Sequence, residues 1–274
     1  MTKEILIRPS QGLLHLDLAE LWQYRELFYI FAWRDIKVRY KQTFLGVAWV
    51  IFQPLFTTII FTIFFGNLAK IPSGNLPYSL FVLCGLVFWN FFSGALSHAS
   101  NSLIDNEGII KKVYFPKLIL PLSSVVTTFI DFLVSFILLL VYMLILNIYP
   151  TWMFFLTTFL GIIVGAITAS GLGLFLSSLN VKYRDVRYIL PFFIQMLLFV
   201  SPVIYPTTIV RPTNKLFLAL NPMTAVIESV RHTISPMGSF DWTLIAISVV
   251  SALIIFIFGL TFFRYTEKYL ADVV

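Results

Sequence analysis

The chain has 274 residues, 59% of them hydrophobic and 12% charged, with a formal net charge of +6 and a mean hydropathy of +0.90. Water-soluble domains carry about 25% charged residues, and a soluble fold could not hide this much apolar surface. The composition therefore excludes a water-soluble enzyme and indicates an integral membrane protein.

One cysteine, Cys84, cannot form an internal disulfide, and with three scattered histidines, His15, His98 and His232, it does not supply a thiolate zinc site. In a membrane chain the surplus positive charge reads through its distribution over loops, not as nucleic-acid binding.

Residues 1–20 read as a polar tail with Pro9 and Gly12, and charges interrupt 1–43 too often for a cleavable signal peptide. Residues 21–40 are predicted to form a helix at the membrane interface. At about 100° per residue, Trp22, Tyr29, Trp33, Ile36 and Tyr40 share one face, with Arg34, Lys37 and Lys41 on an adjacent one; Phe28, Ile30 and Phe31 blur the pattern. The basic residues Arg34, Lys37, Arg39 and Lys41 then run into an uncharged apolar stretch, 44–65. Its length suffices to cross a bilayer, since about 20 helical residues cover some 30 Å of hydrocarbon.

Five more spans are predicted at 76–96, 118–146, 152–179, 188–205 and 242–263. The run 118–146 is longer than needed, which predicts tilt or protrusion. With a cytoplasmic N-terminus, fifteen of the nineteen Lys and Arg fall inside, leaving Lys70, Arg211, Lys215 and Arg231 outside. That split agrees with the positive-inside rule.

Between the last two spans, 201–238 is largely apolar yet carries Pro202, Pro206, Pro212, Pro222 and Pro236, with Glu228 and Arg231 in its second half. Proline removes a backbone donor, which lipid tolerates only where the backbone is buried in protein or faces water. Short helices dipping back into the outer half of the membrane satisfy this; a plain extracellular loop is the alternative.

The predicted fold is all-α and integral to the membrane. It has six transmembrane helices, an N-terminal interfacial helix, re-entrant helices between spans five and six, and both termini in the cytoplasm. Residues 1–43 make the tail and interfacial helix, and 44–274 a single transmembrane domain.

Several features bear on function. Gly161, Gly165, Ala169 and Gly173, followed by Ser177, repeat every four residues and make a smooth face for another helix, within the chain or across a dimer. Asp131 stands in an uncharged span with Ser124, Thr127, Thr128 and Ser135 on the same face. A carboxylate there must face protein or water, as a pathway or proton-relay residue or as an interhelical hydrogen-bond partner.

The loop at 102–121, SLIDNEGIIKKVYFPKLILP, predicts a short helix capped by Asp105 or Asn106, beginning near Glu107 and ended by Pro116. Its mixed charges and aromatics suit docking onto a partner protein, or an ordinary basic loop. A second basic loop, NVKYRDVR, follows the fourth span. The 29 Phe, 12 Tyr and 6 Trp serve as interfacial belts and lipid-facing surface, and a subset could line a conduit for carbohydrate. No phosphate-binding loop and no hydrolase motif is visible, so this chain is not expected to be an enzyme or to hydrolyse ATP itself.

With these elements in place, the chain resembles the membrane-spanning permease subunit of type-2 ABC exporters of polysaccharides, the O-antigen, capsule and teichoic-acid group. The stretches that carry the likeness are WRDIKVRYKQTFLGVAWVIFQP at 33–54, NEGIIKKVYFPKLILP at 106–121, LNVKYRDVRYILPFFIQ at 179–195, SPVIYP at 201–206 and NPMTAVIESVRHTI at 221–234.

The resemblance implies an interfacial helix with Trp33, Arg34, Lys37, Arg39 and Tyr40 beside an ATPase subunit. It implies a coupling helix at 107–115, with Glu107, Ile110, Lys111, Lys112, Tyr114 and Phe115, seated in a groove on that subunit. It also implies gate helices with Pro202, Tyr205, Pro206, Asn221, Pro222, Glu228 and Arg231. It further implies a homodimer in the bacterial inner membrane, paired with two ATPase copies that bind ATP and Mg, moving a lipid-linked polysaccharide. No cofactor is expected on this chain. The rival expectations are an ABC permease for a drug, lipid or teichoic acid, an ion-coupled carrier working through Asp131, and a membrane-embedded transferase.

Overall fold

The computed structural model describes residues 18–41, 46–235 and 241–273; the polar tail at 1–17 and the start of the first predicted span lie outside them. Two short helices, α1 (Leu18–Gln23) and α2 (Arg25–Lys41), precede α3 (Gly46–Phe61), which continues as a π-helical turn through Leu68. Then follow α4 (Tyr78–Asp105), α5 (Glu107–Ile110), α6 (Ile119–Ile145), α7 (Trp152–Lys182), α8 (Val186–Val200), α9 (Pro212–Ala219), α10 (Pro222–Ile234) and α11 (Trp242–Val273). Among the described residues every regular element is helical.

Among the described residues five helices are long and apolar enough to cross a membrane: Ala48–Leu68, Tyr78–Asp105, Ile119–Ile145, Trp152–Lys182 and Trp242–Glu267. The remaining predicted span, 188–205, becomes the shorter α8, whose 15 residues reach roughly 22 Å at about 1.5 Å per residue. It stops where it does because Pro202 bars helical geometry from the residue before it. Ser201 is accordingly extended, with φ −78° and ψ 145°.

The core is built around α4. Leu80, Val82, Cys84, Val87 and Phe88 are fully enclosed, so the first half of this helix is apolar on all sides because its sides are covered. An aromatic chain ties it to its neighbours: Phe88 and Phe91 of α4 meet Phe132 of α6 at 5.4 and 5.5 Å between ring centroids. Phe132 stacks on Phe136, which stacks on Phe154 of α7 at 5.8 Å. Such pairs add about 0.5–1.5 kcal/mol each beyond their buried area.

The small-residue face of α7 packs inside the chain. A Cβ on Gly173 would lie 2.5 Å from the Ala99 Cβ of α4, and one on Gly161 would lie 2.9 Å from Val226 of α10. A Cβ on Gly165 would touch the Phe91 ring at 3.4 Å. Gly171, off that stripe, meets α11: a Cβ there would stand 2.6 Å from the Phe256 Cα, and one on Gly259 would collide with the Gly171 carbonyl. Two backbones in direct contact leave no alternative to glycine.

Candidate coupling and gate sites

The loop after α4 is less helical than its sequence predicts. Only one turn forms, Glu107–Ile110, and neither Asp105 nor Asn106 caps it through a side chain. Asn106 instead donates its amide to the Ser102 carbonyl one turn back, at 2.8 Å, the local competition to which short polar side chains are prone. Beyond Lys112 the chain extends, because Pro116 excludes helical geometry at Phe115.

Lys111 pairs with Glu107 at 2.6 Å, and that hydrogen bond holds the Glu107 carboxyl below its ordinary range. Lys111, Lys112, Val113 and Tyr114 are exposed, whereas Phe115 is buried against Phe31 of α2, with ring centroids 5.5 Å apart. Phe115 therefore anchors the loop, and the surface open to a partner is Ile110, Lys111, Lys112, Val113 and Tyr114, which line one shallow concavity.

α2 docks by a different side from the one its amphipathic pattern suggests. Phe31 and Ala32 are buried, and Phe31 joins Leu103, Phe115, Leu118, Leu174 and Phe263 in a second apolar cluster. Of the three residues that blur the sequence pattern, Phe28 and Phe31 are the docking face, whereas Ile30 is exposed. Trp22, Tyr29 and Trp33 point outward, and Trp33 lies parallel to Tyr29 with centroids 6.4 Å apart. Arg34 pairs with Asp35 at 2.7 Å and lies over the Phe31 ring; Lys37 is exposed.

Asp131 is not a solitary charge. Its Oδ2 accepts from Arg39 and its Oδ1 from the Tyr40 hydroxyl, both in the last turn of α2. A second guanidinium nitrogen of Arg39 meets His98 Nε2 on α4. Burial, reinforced by Asp131, pushes the Tyr40 hydroxyl above its ordinary range, so it stays a donor. The hydroxyls expected to share the polar face turn back onto their own helix: Ser124 onto Leu120, Thr127 onto Ser123 and Thr128 onto Ser124. Among the described residues no three His, Cys, Asp or Glu gather as a metal site.

At the opposite end of α4 the prolines break the chain into α8, a turn, α9 and α10. Pro222 opens α10 at a position where a missing N–H costs nothing. Asn221 caps it by accepting from the Met223 N–H at 3.1 Å, while its amide donates to Ser201 Oγ at 2.7 Å. The Tyr205 hydroxyl donates to the Val200 carbonyl, closing the end of α8. Pro202 and Pro206 are buried.

The centre of this region is Arg231, only 2% exposed. It donates to the Phe81 carbonyl at 3.0 and 2.8 Å, to Val203 O at 2.6 Å and to Pro202 O, and its guanidinium lies 3.5 Å from the Phe81 ring centroid. Glu228, 3.6 Å away, balances the charge and accepts from Thr207. Gly85 makes the room: a Cβ there would stand 2.5 Å from Arg231 Nη2. A pocket of about 260 Å³ with both polar and apolar walls opens beside this clamp, lined by Thr207, Glu228, Arg231, Asp241, Leu244 and Ile245 among others.

Sequence reasoning missed Phe81, Gly85 and His98. A glycine inside an apolar span marks close approach, and a buried arginine must find carbonyls, but neither signal names the partner.

Residues 26–235 match the model of a family described as ABC-2 type transporter. The chain is similar to the O-antigen export system permease protein RfbA of Myxococcus xanthus, 31% identical over 214 residues that cover 77% of this chain and 81% of that protein. It is also similar to an O-antigen export system permease protein RfbA of Klebsiella pneumoniae, 26% identical over 251 residues, 90% of this chain and 95% of the relative. The polysialic acid transport protein KpsM of Escherichia coli is 23% identical over 243 residues, 86% and 91% of the two chains.

Proposed function

Because this chain belongs to the ABC-2 type transporter family, we propose that it is the permease subunit of an ATP-driven exporter. Its cargo is a lipid-linked polysaccharide of the O-antigen or capsular kind, carried out across the bacterial inner membrane. The observation that carries this reading is likeness over most of the chain to permeases named for O-antigen export and polysialic acid transport.

In this reading the chain crosses the membrane six times with both termini in the cytoplasm. α8 supplies a crossing with help from the turn at 201–205. In support, Arg187 pairs with Asp105 at one end of α4, while Pro202 and Val203 are held by Arg231 beside Phe81 near the other. Residues 44–274 form one transmembrane domain, and α9 and α10 are short re-entrant gate helices on the outer side.

Two copies of the chain pair with two ATPase subunits, which bind ATP and Mg. The concavity from Ile110 to Tyr114 seats on an ATPase, and α2 lies beside it. Closure of the ATPases around ATP shifts the conduit between closed and open populations, since a ligand moves an equilibrium only by binding one state better. An ion-coupled carrier through Asp131 fits less well, because Arg39 and Tyr40 occupy both carboxylate oxygens.

Gentle purification of the tagged protein from its native membrane, with mass spectrometry of co-purifying chains, tests the reading. An ATP-binding subunit in roughly equal amount is expected. Its reproducible absence, with the protein active alone, would overturn the exporter assignment.

A further inference from the structure

The cluster of Arg39, Tyr40, His98 and Asp131 ties α2, α4 and α6 together at one point through polar side chains. Asp131 lies roughly 18 Å along α6 from its first residue, at about 1.5 Å per residue. A carboxylate placed there needs a partner, and the nearest spanning helix could have supplied one. Instead both partners come from the last turn of α2, and Arg39 reaches on to His98 of α4.

About two turns earlier on α2, Phe31 packs on Phe115, the anchor of the loop whose exposed face is Lys111 to Tyr114. α2 is therefore a short rigid rod. Its middle rests on the coupling loop, and its last turn is fastened by charge to Asp131 of α6 and by a polar contact to His98 of α4.

From this we propose that Arg39 and Asp131 are positioning residues that transmit movement of the coupling loop into α4 and α6. The proposal rests on the exporter reading above. Two donors on one carboxylate fix its direction as well as its distance. When α2 shifts, the pair either drags α6 with it or breaks, which gives the joint two discrete states through which coupling can pass. The side chains of Arg39 and Asp131 are 28% and 20% exposed, so the pair is shielded enough not to be cancelled by salt.

The test reconstitutes the permease with its ATPase in liposomes, using Arg39→Gln, Asp131→Asn and the reversed pair, Arg39→Asp with Asp131→Arg. Both single variants are expected to assemble with the ATPase and hydrolyse ATP, while polysaccharide moved per ATP falls roughly 2- to 30-fold. The reversed pair should recover most of that loss, an outcome that neither a proton relay at Asp131 nor a mere packing role gives. Wild-type export per ATP in either single variant, or a reversed pair no better than the worse single, overturns the proposal.

Amide hydrogen exchange of residues 25–41 in the permease alone keeps the test decisive if a variant assembles poorly. Exchange should quicken in the single variants and slow again in the reversed pair, and unchanged exchange overturns the joint. Absence of an ATPase from the wild-type preparation would instead bring down the exporter reading, and this proposal with it, whatever the exchange data show.

Discussion

Arg231 is the side chain on which the segment between α8 and α11 depends, and its environment sets the cost of losing it. Three carbonyls, Phe81, Pro202 and Val203, point at one guanidinium in a space that Gly85 leaves open. Arg231→Met would keep much of the volume and strand those carbonyls together with Glu228. Removing one member of a buried charged network costs about 3–5 kcal/mol, so a marked fall in detergent melting temperature is expected.

Arg231→Lys should not restore it, because an ammonium offers three donors at a point where the site needs a planar fork lying on Phe81. An unchanged melting temperature for the methionine variant would mean that the clamp holds nothing. The same argument extends to Gly85→Val, whose added methyls would meet Arg231 Nη2 and the Val203 backbone; its melting temperature should fall too.

At the scale of elements, the coupling loop and the α7 face make separate predictions. Lys111→Glu with Lys112→Glu reverses two exposed charges without touching the Phe115 anchor. Membrane insertion should then be normal while ATPase recovery in a pull-down drops; an unchanged yield would remove these lysines from the docking surface. Gly165→Leu forces a branched side chain against the Phe91 ring, and overpacking of this kind costs about 1–3 kcal/mol. Lower stability in detergent is expected, measured on the monomeric chain as well as on any dimer, since the contact is within one copy.

These elements also mark what the sequence discloses. Long apolar runs announce α4, α6, α7 and α11, because the bilayer demands about 20 residues and nothing else does. The stripe from Gly161 to Gly173 announces close packing, though not that α4 and α10 are the partners. α8 departs from its predicted end because one proline outweighs the apolar run that continues past it, and α5 starts at Glu107 without the expected side-chain cap because the Asn106 amide bonds its own helix. Arg231 and Phe81 are 150 residues apart in sequence, and Arg39 and Asp131 are 92. Pairings at that distance are made by the packing of whole helices, which local periodicity does not encode.

For the molecule as a whole, the open question is the path of the chain between α7 and α11. A 15-residue helix falls short of some 30 Å of hydrocarbon, yet the residues that flank α8 are held near opposite ends of α4. If α8 and the turn at 201–205 complete a crossing, Tyr183 and Thr208 face opposite compartments; if α8 dips and returns, they face the same one.

The protein suits a direct measurement, because Cys84 is its only cysteine and is buried. In a Cys84→Ser background, single cysteines at the exposed positions Tyr183 and Thr208 would be challenged with a membrane-impermeant maleimide in intact cells. Thr208→Cys should react from outside, and Tyr183→Cys only after the membrane is opened, as it should if fifteen of the nineteen cationic side chains lie inside. Labelling of both from the same side would reduce the crossings to five, carry the C-terminal end of α11 to the outer face, and part it from the inner surface on which the proposed ATPase docks. The topology and the coupling mechanism therefore stand or fall on the same pair of residues.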